Sequence, residues 1–495
     1  MKKLLFPNLL LLVIPLQLLS QIFPKEGSEL NYRLIGFTFD TPKNSRSSTL
    51  EIASGFLDSD SSFSRNIIIT EKTDKNKVII EVPAFGTAYT WRILYNGNHT
   101  AKSQLFHFRT GSILEIDTNV NRLRILHKAE KYKDACFFVD ENKALYDMNG
   151  HPVWYLPTAG TKNAVVRDLK ITPQGSITYV IDGQGVYEIN YDGAIIWQGP
   201  NNGAVSGDSQ EHYHHEFTRL KNGHYMALGL EMVNIKRIYG SDTNLSVVPL
   251  SKIHPGEINN VYLTQPMGTL IEYDSTNKVV WSWKTSERFN GTNILFRRTS
   301  KGPVQMHAHE NSFFFDDKTN SVYLSCRNLD RIIKIQYPDG NITGVYGENS
   351  KTGKGFFCGQ HTCRKTEDGY LYVYNNNVCN HDELSTVVML KEPVSAGDSM
   401  KKVWEYECGS EIINANGYPS GGNVVELPDH SFFVSVAYPE SRIFIVNFNA
   451  DILWCARAER LNLSTKLWAP VLNYRASIIP DRKTLENLIW NSELK

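Results

Sequence analysis

The sequence predicts an all-β chain, a six-bladed β-propeller preceded by a small N-terminal β-sandwich of fibronectin-III-like type. Three observations carry that prediction. A strand–turn–strand element recurs six times after about residue 120, five copies ending in tryptophan, a second hairpin element precedes the later copies, and hardly any helical periodicity is present. The boundaries read as a signal peptide over 1–20, the sandwich over 25–115 and the propeller over 120–495.

The first segment pairs a basic head, Lys2 and Lys3, with an almost wholly apolar run from Leu4 to Leu19. Ser20 supplies a small residue before Gln21. Sixteen apolar residues containing Pro15 are short for a membrane span, so the segment reads as a cleaved signal and the protein as exported, periplasmic or secreted. Between Leu30 and Thr110, short alternating strands fall at Thr49–Ile52, Ile67–Thr70, Lys77–Val82, Tyr89–Leu94 and Leu105–Phe108. Tyr89 and Trp91 belong to the core of that module.

Beyond Thr110 the repeat begins. Its copies are Ala144–Trp154, Val186–Trp197, Leu270–Trp281, Ile332–Thr343, an interrupted copy from Thr386 to Trp404, and Arg442–Trp454. The second element, a polar turn entering a strand, appears at Thr172–Val180, Lys221–Leu228, Thr366–Val373 and Pro428–Val434. Two hairpins per unit make a four-stranded blade, and the stretch from about Ala456 closes the ring. The recurrent tryptophans are accounted for by packing.

Composition excludes several partners. The 495 residues hold 52 Lys plus Arg against 52 Asp plus Glu. Zero net charge removes the electrostatic footprint of a nucleic-acid binder and any drive toward anionic membranes. After signal cleavage no membrane span remains. No glycine-rich phosphate loop follows a strand and opens a helix, so no nucleotide cofactor is expected. Oligomeric state is left open, with a homodimer among the options.

In a propeller the first strand of each blade lines the central channel, so residues at the start of successive first strands gather at one mouth. That register holds Arg167 and Asp168, then His212, His214, His215 and Glu216, then His307, His309 and Asn311. It continues with Gln360 and His361, then Ser420, Gly421, Gly422 and Asn423. A hairpin centred near Lys318 places Arg327 across from His309, since both lie nine residues away. Arginine, imidazole and the Asn311 amide converging at one hairpin end suit a sulfate or phosphate ester. His361 is the natural nucleophile, because neutral imidazole is available near neutral pH.

Three motifs resemble those of the bacterial PAPS-independent aryl sulfotransferase family. They are His214-His215-Glu216-Phe-Thr-Arg-Leu-Lys-Asn-Gly223, then His309-x-Asn311 with Ser325-x-Arg327, then Phe357-x-x-Gln360-His361. The resemblance spans most of residues 120–450 and includes the N-terminal sandwich. It implies that His361 is the histidine that becomes sulfated, with His309, Asn311 and Arg327 holding the sulfuryl group. His215 would face the site ahead of its neighbour His214, and Gln360 would help to bind substrate. Transfer from an aryl sulfate to a phenol would run by a ping-pong route without PAPS, metal or other cofactor.

Two features depart from the family pattern. Glu216 stands where aspartate is expected, and Cys358 and Cys363 bracket His361, either as a small disulfide loop or as buried thiols. Two other functions stay open. His214, His215, His309 and His361 could converge on a metal, or the propeller could bind a ligand without chemistry.

Overall fold

In the computed structural model of the protein, the residues described are 22–97, 101–157, 163–236, 247–248, 262–290, 296–299, 302–305, 308–347, 355–378, 384–395, 398–409, 421–437 and 441–491. The signal segment, His307 and Ser420 therefore lie outside the described residues. No described helix is long and apolar enough to cross a membrane. The chain divides into two compact units, Met1–Gly111 and Ser112–Lys495.

The first unit is built from two sheets. One runs in the order Ser28–Leu30, Phe106–Thr110, Ala88–Asn96, Ser47–Ser54 and Ile67–Thr73, with Ala101–Lys102 against Ala88–Asn96. The other pairs Leu34–Thr38 with Lys77–Glu81. Alternation decides which faces are buried: along Ser47–Ser54, Ser48, Leu50 and Ile52 turn inward. Phe37 bridges the sheets, its ring 5.2 Å from Trp91 and 6.0 Å from Phe108, edge-on to both. Tyr89 and Trp91 are core residues, buried to 1% and 0% exposure. The strand Leu34–Thr38 has no counterpart among the sequence-based expectations.

The second unit carries six antiparallel sheets of at least four strands each. The first holds Cys136–Val139, Ala144–Asp147 and Pro152–Tyr155, completed by Ala476–Ile479 from the far end of the chain. The second runs Val166–Ile171, Ile177–Ile181, Gly185–Ile189 and Ile195–Gln198. The third holds Phe217–Arg219, Tyr225–Lys236, Tyr262–Tyr273 and Val279–Lys284, and its two middle strands form a ribbon paired over their whole length. The fourth runs Glu310–Asp316, Ser321–Cys326, Arg331–Gln336 and Ile342–Tyr346. The fifth runs Thr362–Lys365, Leu371–Asn375, Thr386–Lys391 and Lys401–Glu407. The sixth runs Asn423–Glu426, Phe432–Ser435, Arg442–Val446 and Ile452–Leu461.

Each repeat copy read in the sequence forms the third and fourth strands of one sheet. Each sheet touches the next, and the strand Phe432–Ser435 of the sixth touches Ala476–Ile479 of the first, so the contacts close on themselves. Closure is double. Ala476–Ile479 pairs with Cys136–Val139, while Asn121–His127 pairs with the fourth strand of the sixth sheet, Ile452–Leu461.

The tryptophans do more than fill space. Trp154 Nε1 donates to the Tyr191 carbonyl of the next sheet at 2.7 Å, and Trp283 Nε1 to Gly340 at 3.0 Å. Trp404 Nε1 reaches Phe448 at 3.1 Å, and Trp454 of the sixth sheet reaches Met148 of the first at 2.9 Å. These four fourth-strand indoles thus satisfy their N–H groups on the outer turn of the following sheet, whereas that of Trp197 in the second sheet is buried without a partner. Among the described residues, α-helix is confined to Asp60–Arg65, Thr285–Arg288 and Arg482–Asn491. Cys363 is a free, buried thiol, so the loop between Cys358 and Cys363 does not form. Cys358 is disulfide-bonded, but to no described residue.

Candidate active site

His361, His215 and His309 come together where the first strands of the third, fourth and fifth sheets begin. The His215 ring lies 5.2 Å from His309 and 5.9 Å from His361, centroid to centroid. Asp168, His215 and His309 all have left-handed backbone, with φ of 56°, 56° and 52°. Left-handed geometry costs a non-glycine residue about 1 kcal/mol or more. It turns each chain segment sharply into the strand that follows.

His361 is 1% exposed and anchored at both ring nitrogens. Nδ1 lies 2.9 Å from the Gly422 carbonyl and Nε2 lies 2.7 Å from the Tyr474 hydroxyl. A carbonyl only accepts, so the proton sits on Nδ1 and Nε2 keeps its lone pair, receiving the tyrosine O–H. Gly422 is required for this contact: its φ is +86°, and a Cβ there would stand 2.1 Å from a Tyr374 ring carbon. Burial is the main cause that pulls the His361 pKa well down, and Arg475, His309 and Arg327 push the same way. The ring is therefore held neutral.

The same logic fixes the neighbouring pair. His214 Nε2 lies 3.1 Å from the Gly229 carbonyl, and His214 Nδ1 lies 2.7 Å from His215 Nδ1. With its one proton on Nε2, a neutral His214 accepts at Nδ1, so His215 donates from Nδ1 and keeps a lone pair on Nε2. Burial first, then His214, His309, His361 and Arg475, lower the His215 pKa well below the ordinary imidazole value. Of the pair, His215 is the one packed against His309 and His361.

Arg327 begins a short 3-10 turn, Arg327–Leu329, and its backbone N–H donates to the His309 carbonyl at 3.0 Å, as the hairpin register requires. Burial lowers its pKa from the usual guanidinium value, while Tyr474 and Asp330 oppose the shift. Asn311 is fully buried. Its Nδ2 donates to the Gln360 carbonyl at 2.8 Å. The Gln360 side chain faces away from the histidines: its Nε2 donates to Arg331 O at 2.9 Å, Cys326 O at 3.1 Å and Ser325 Oγ at 3.2 Å. Gln360 is thus bonded through its amide nitrogen to the fourth sheet. His212 points instead at Asp208, 3.0 Å away.

Sequence reasoning missed the residues contributed by the closing segment. Tyr474 meets His361 and is covered by Arg167, whose guanidinium carbon lies 3.8 Å from the ring centre. Burial pushes the Tyr474 pKa up to about 12, so the hydroxyl keeps its proton. Arg475, 3% exposed, sits beneath the histidines among buried and partly buried charges. These include Asp168, Lys170, Glu216 and Arg364, with Lys170 Nζ 2.6 Å from Asp168 and Arg364 paired to Glu216. The aspartate-to-glutamate departure at 216 therefore falls on a structural ion pair. The signal that could have revealed the segment is Tyr474-Arg475-Ala476-Ser477, which mirrors the start of a first strand such as Val166-Arg167-Asp168-Leu169.

Among the described residues, no three His, Cys, Asp or Glu side chains group in a manner that could hold a metal ion. The sequence profile of the family described as arylsulfotransferase (ASST) matches residues 265–406, which include His309, Asn311, Arg327 and His361. No curated protein matches the chain. Among solved structures, similarity is found to a protein of unknown function from Bacteroides caccae, at 11% identity and a TM-score of 0.38, covering 73% of this chain and 99% of that one. A periplasmic gluconolactonase of Pseudomonas aeruginosa matches at 10% identity and a TM-score of 0.33, covering 73% and 99%. A streptogramin B lyase matches at 12% and 0.32, covering 68% and 98%.

Proposed function

We propose, on the support of the match between residues 265–406 and the arylsulfotransferase family profile, that this chain moves a sulfuryl group from an aryl sulfate to a phenol through His361. The single observation that carries this reading is the His361 tautomer, with Nδ1–H on the Gly422 carbonyl and a lone pair on Nε2. A nucleophile must present that lone pair, and a buried neutral imidazole does so without first losing a proton.

The donor sulfate displaces the Tyr474 hydroxyl from Nε2. An N–S bond then forms as the S–O bond to the aryl group breaks, and the electron pair leaves on the phenolic oxygen. Arg327 supports the sulfuryl oxygens, which stay anionic throughout. In the second half-reaction an acceptor phenol gives its proton to His215 Nε2 and attacks sulfur, the N–S electron pair returns to Nε2, and His215 then releases that proton to solvent, where it balances the phenolate released in the first half-reaction. The product phenol must leave before the acceptor enters, which is ping-pong kinetics.

On this reading the six sheets are the blades of a propeller and the first unit is a fibronectin-like sandwich. Lys2, Lys3 and the apolar run Leu4–Leu19 support export to the periplasm or the exterior. The test is nitrophenol release from p-nitrophenyl sulfate by purified protein in chelator, with and without phenol. Phenol-dependent release, with a mass gain of one sulfuryl group on the His361 peptide when phenol is left out, is the expected result. Silence on several aryl sulfates would sink the reading.

A further inference from the structure

Arg475 bonds more backbone under the histidines than any residue named so far, and it comes from the closing strand, outside the repeat copies read in the sequence. Its Nη2 donates to the Asn311 carbonyl at 2.7 Å and lies 3.5 Å from the His361 carbonyl. Its Nη1 donates to the His215 carbonyl at 3.0 Å and stands 3.4 Å from Asp168 Oδ1 and 3.7 Å from Glu216 Oε2. One guanidinium thus grips the backbone of the third, fourth and fifth sheets at the residues whose side chains form the site. A guanidinium suits this task because its planar fork sends fixed donors from separate nitrogens toward the three carbonyls, whereas an ammonium sends its three donors from a single nitrogen.

The segment carrying Arg475 is itself stitched in place. Gly422 N–H donates to the Tyr474 carbonyl at 2.7 Å, and Asn473 Nδ2 donates to Ser435 Oγ at 2.8 Å. Asn423 bonds Ala476 twice, accepting from its N–H at 3.1 Å and donating to its carbonyl at 2.7 Å. The strand that closes the ring therefore also delivers the site's anchor.

We propose that Arg475 is a positioning residue that sets the His215, Asn311 and His361 backbones in catalytic register, so that the closing strand completes the active site. The inference rests on the sulfuryl-transfer reading above. A backbone displaced by about 1 Å at a reacting group costs roughly a hundredfold in rate. Arg475 also contributes charge. The groups facing His361 are His215, His309, Arg327, Tyr474 and Arg475, and those facing Arg475 are Asp168, Glu216 and Tyr474. Removing the Arg475 charge lets the His361 pKa rise, which moves the acid limb of kcat/KM to higher pH.

The experiment compares Arg475→Lys and Arg475→Met with the unaltered chain, using p-nitrophenyl sulfate and phenol. Folding is followed by circular dichroism, and Arg475→Lys, which keeps the buried charge, is the decisive variant if Arg475→Met does not fold. Both variants should lose about a hundredfold in kcat with a smaller change in KM. Only Arg475→Met should move the acid limb upward. Titration of the labelled imidazoles by NMR reads the same charge effect without turnover, with His361 shifting in Arg475→Met and not in Arg475→Lys. If the unaltered chain is silent on aryl sulfates, the sulfuryl-transfer reading fails, and the imidazole titration still decides the role of Arg475. Wild-type kcat in Arg475→Lys, or one His361 titration curve shared by all three proteins, overturns the proposal.

Discussion

The inner ends of the six sheets and their outer edges obey the same repeat in opposite ways. At the outer edge one device recurs: Trp154, Trp281, Trp404 and Trp454 of the repeat, and Trp283 beside it, each give an indole N–H to a carbonyl of the following sheet, with Trp197 the exception among the repeat tryptophans. At the inner ends one register position carries Arg167, His215, Asn311, His361, Gly422 and Arg475 in turn. The same geometric slot therefore holds different chemistry in each sheet. Repetition at the rim sets the frame, and divergence at the centre sets what the frame can do. Backbone irregularity occurs at both ends: Asp168, His215 and His309 are left-handed at the centre, and each pairing of a third with a fourth strand carries a register shift at the rim.

If that division is real, breaking the centre should remove activity and leave stability, and breaking the rim should do the reverse. The largest effect is expected from His361→Ala, which should lower phenol-dependent transfer by at least about a thousandfold while the circular dichroism spectrum is unchanged. Next comes Arg327→Gln. Loss of its charge from the sulfuryl oxygens should cost about a hundredfold in kcat, read in steady-state kinetics across donors of different leaving-group pKa. A donor-independent loss would indicate misfolding instead.

The third expected effect concerns pH. His215 and His361 have folded-state pKa values below the ordinary imidazole value, so the unfolded chain binds more protons than the folded one below about pH 6.5. The stability they contribute is complete above that pH and is lost as pH falls through the lowered folded values. Urea midpoints should stay level with respect to these groups above pH 6.5 and decline below it, and His361→Ala should flatten the decline. The smallest effect lies at the rim. Trp154→Phe should cost about 1 kcal/mol more than Trp197→Phe, because Trp197 Nε1 is buried without a partner whereas Trp154 Nε1 is bonded. Equal costs would mean that the indole bonds are incidental to packing.

The rim was legible in sequence because its elements are contiguous: strand, polar turn and tryptophan strand lie within about a dozen residues. The Arg327–His309 pairing was legible for the same reason, since one hairpin fixes it. What escaped was non-local. Ala476–Ile479 has no hairpin partner in sequence, its partner Cys136–Val139 lying more than three hundred residues earlier. Tyr474 and Arg475 were lost with it. Gln360 illustrates a different limit: its position is right, yet its amide turns to Ser325, Cys326 and Arg331 to satisfy buried carbonyls of the adjacent sheet. Position along a strand tells where a residue lies, while side-chain direction depends on which neighbouring polar groups would otherwise be left unbonded.

The double closure has a consequence for the timing of synthesis. A chain made from its N-terminus lays down His215, His309, Arg327 and His361 long before Tyr474 and Arg475 emerge. Until then the first sheet lacks its inner strand, and the His361 ring lacks the tyrosine that meets its Nε2. A ribosome-bound chain stopped before residue 473 would hold every histidine of the site and none of its competence. The site's geometry would be complete only once Tyr474 and Arg475 had joined it.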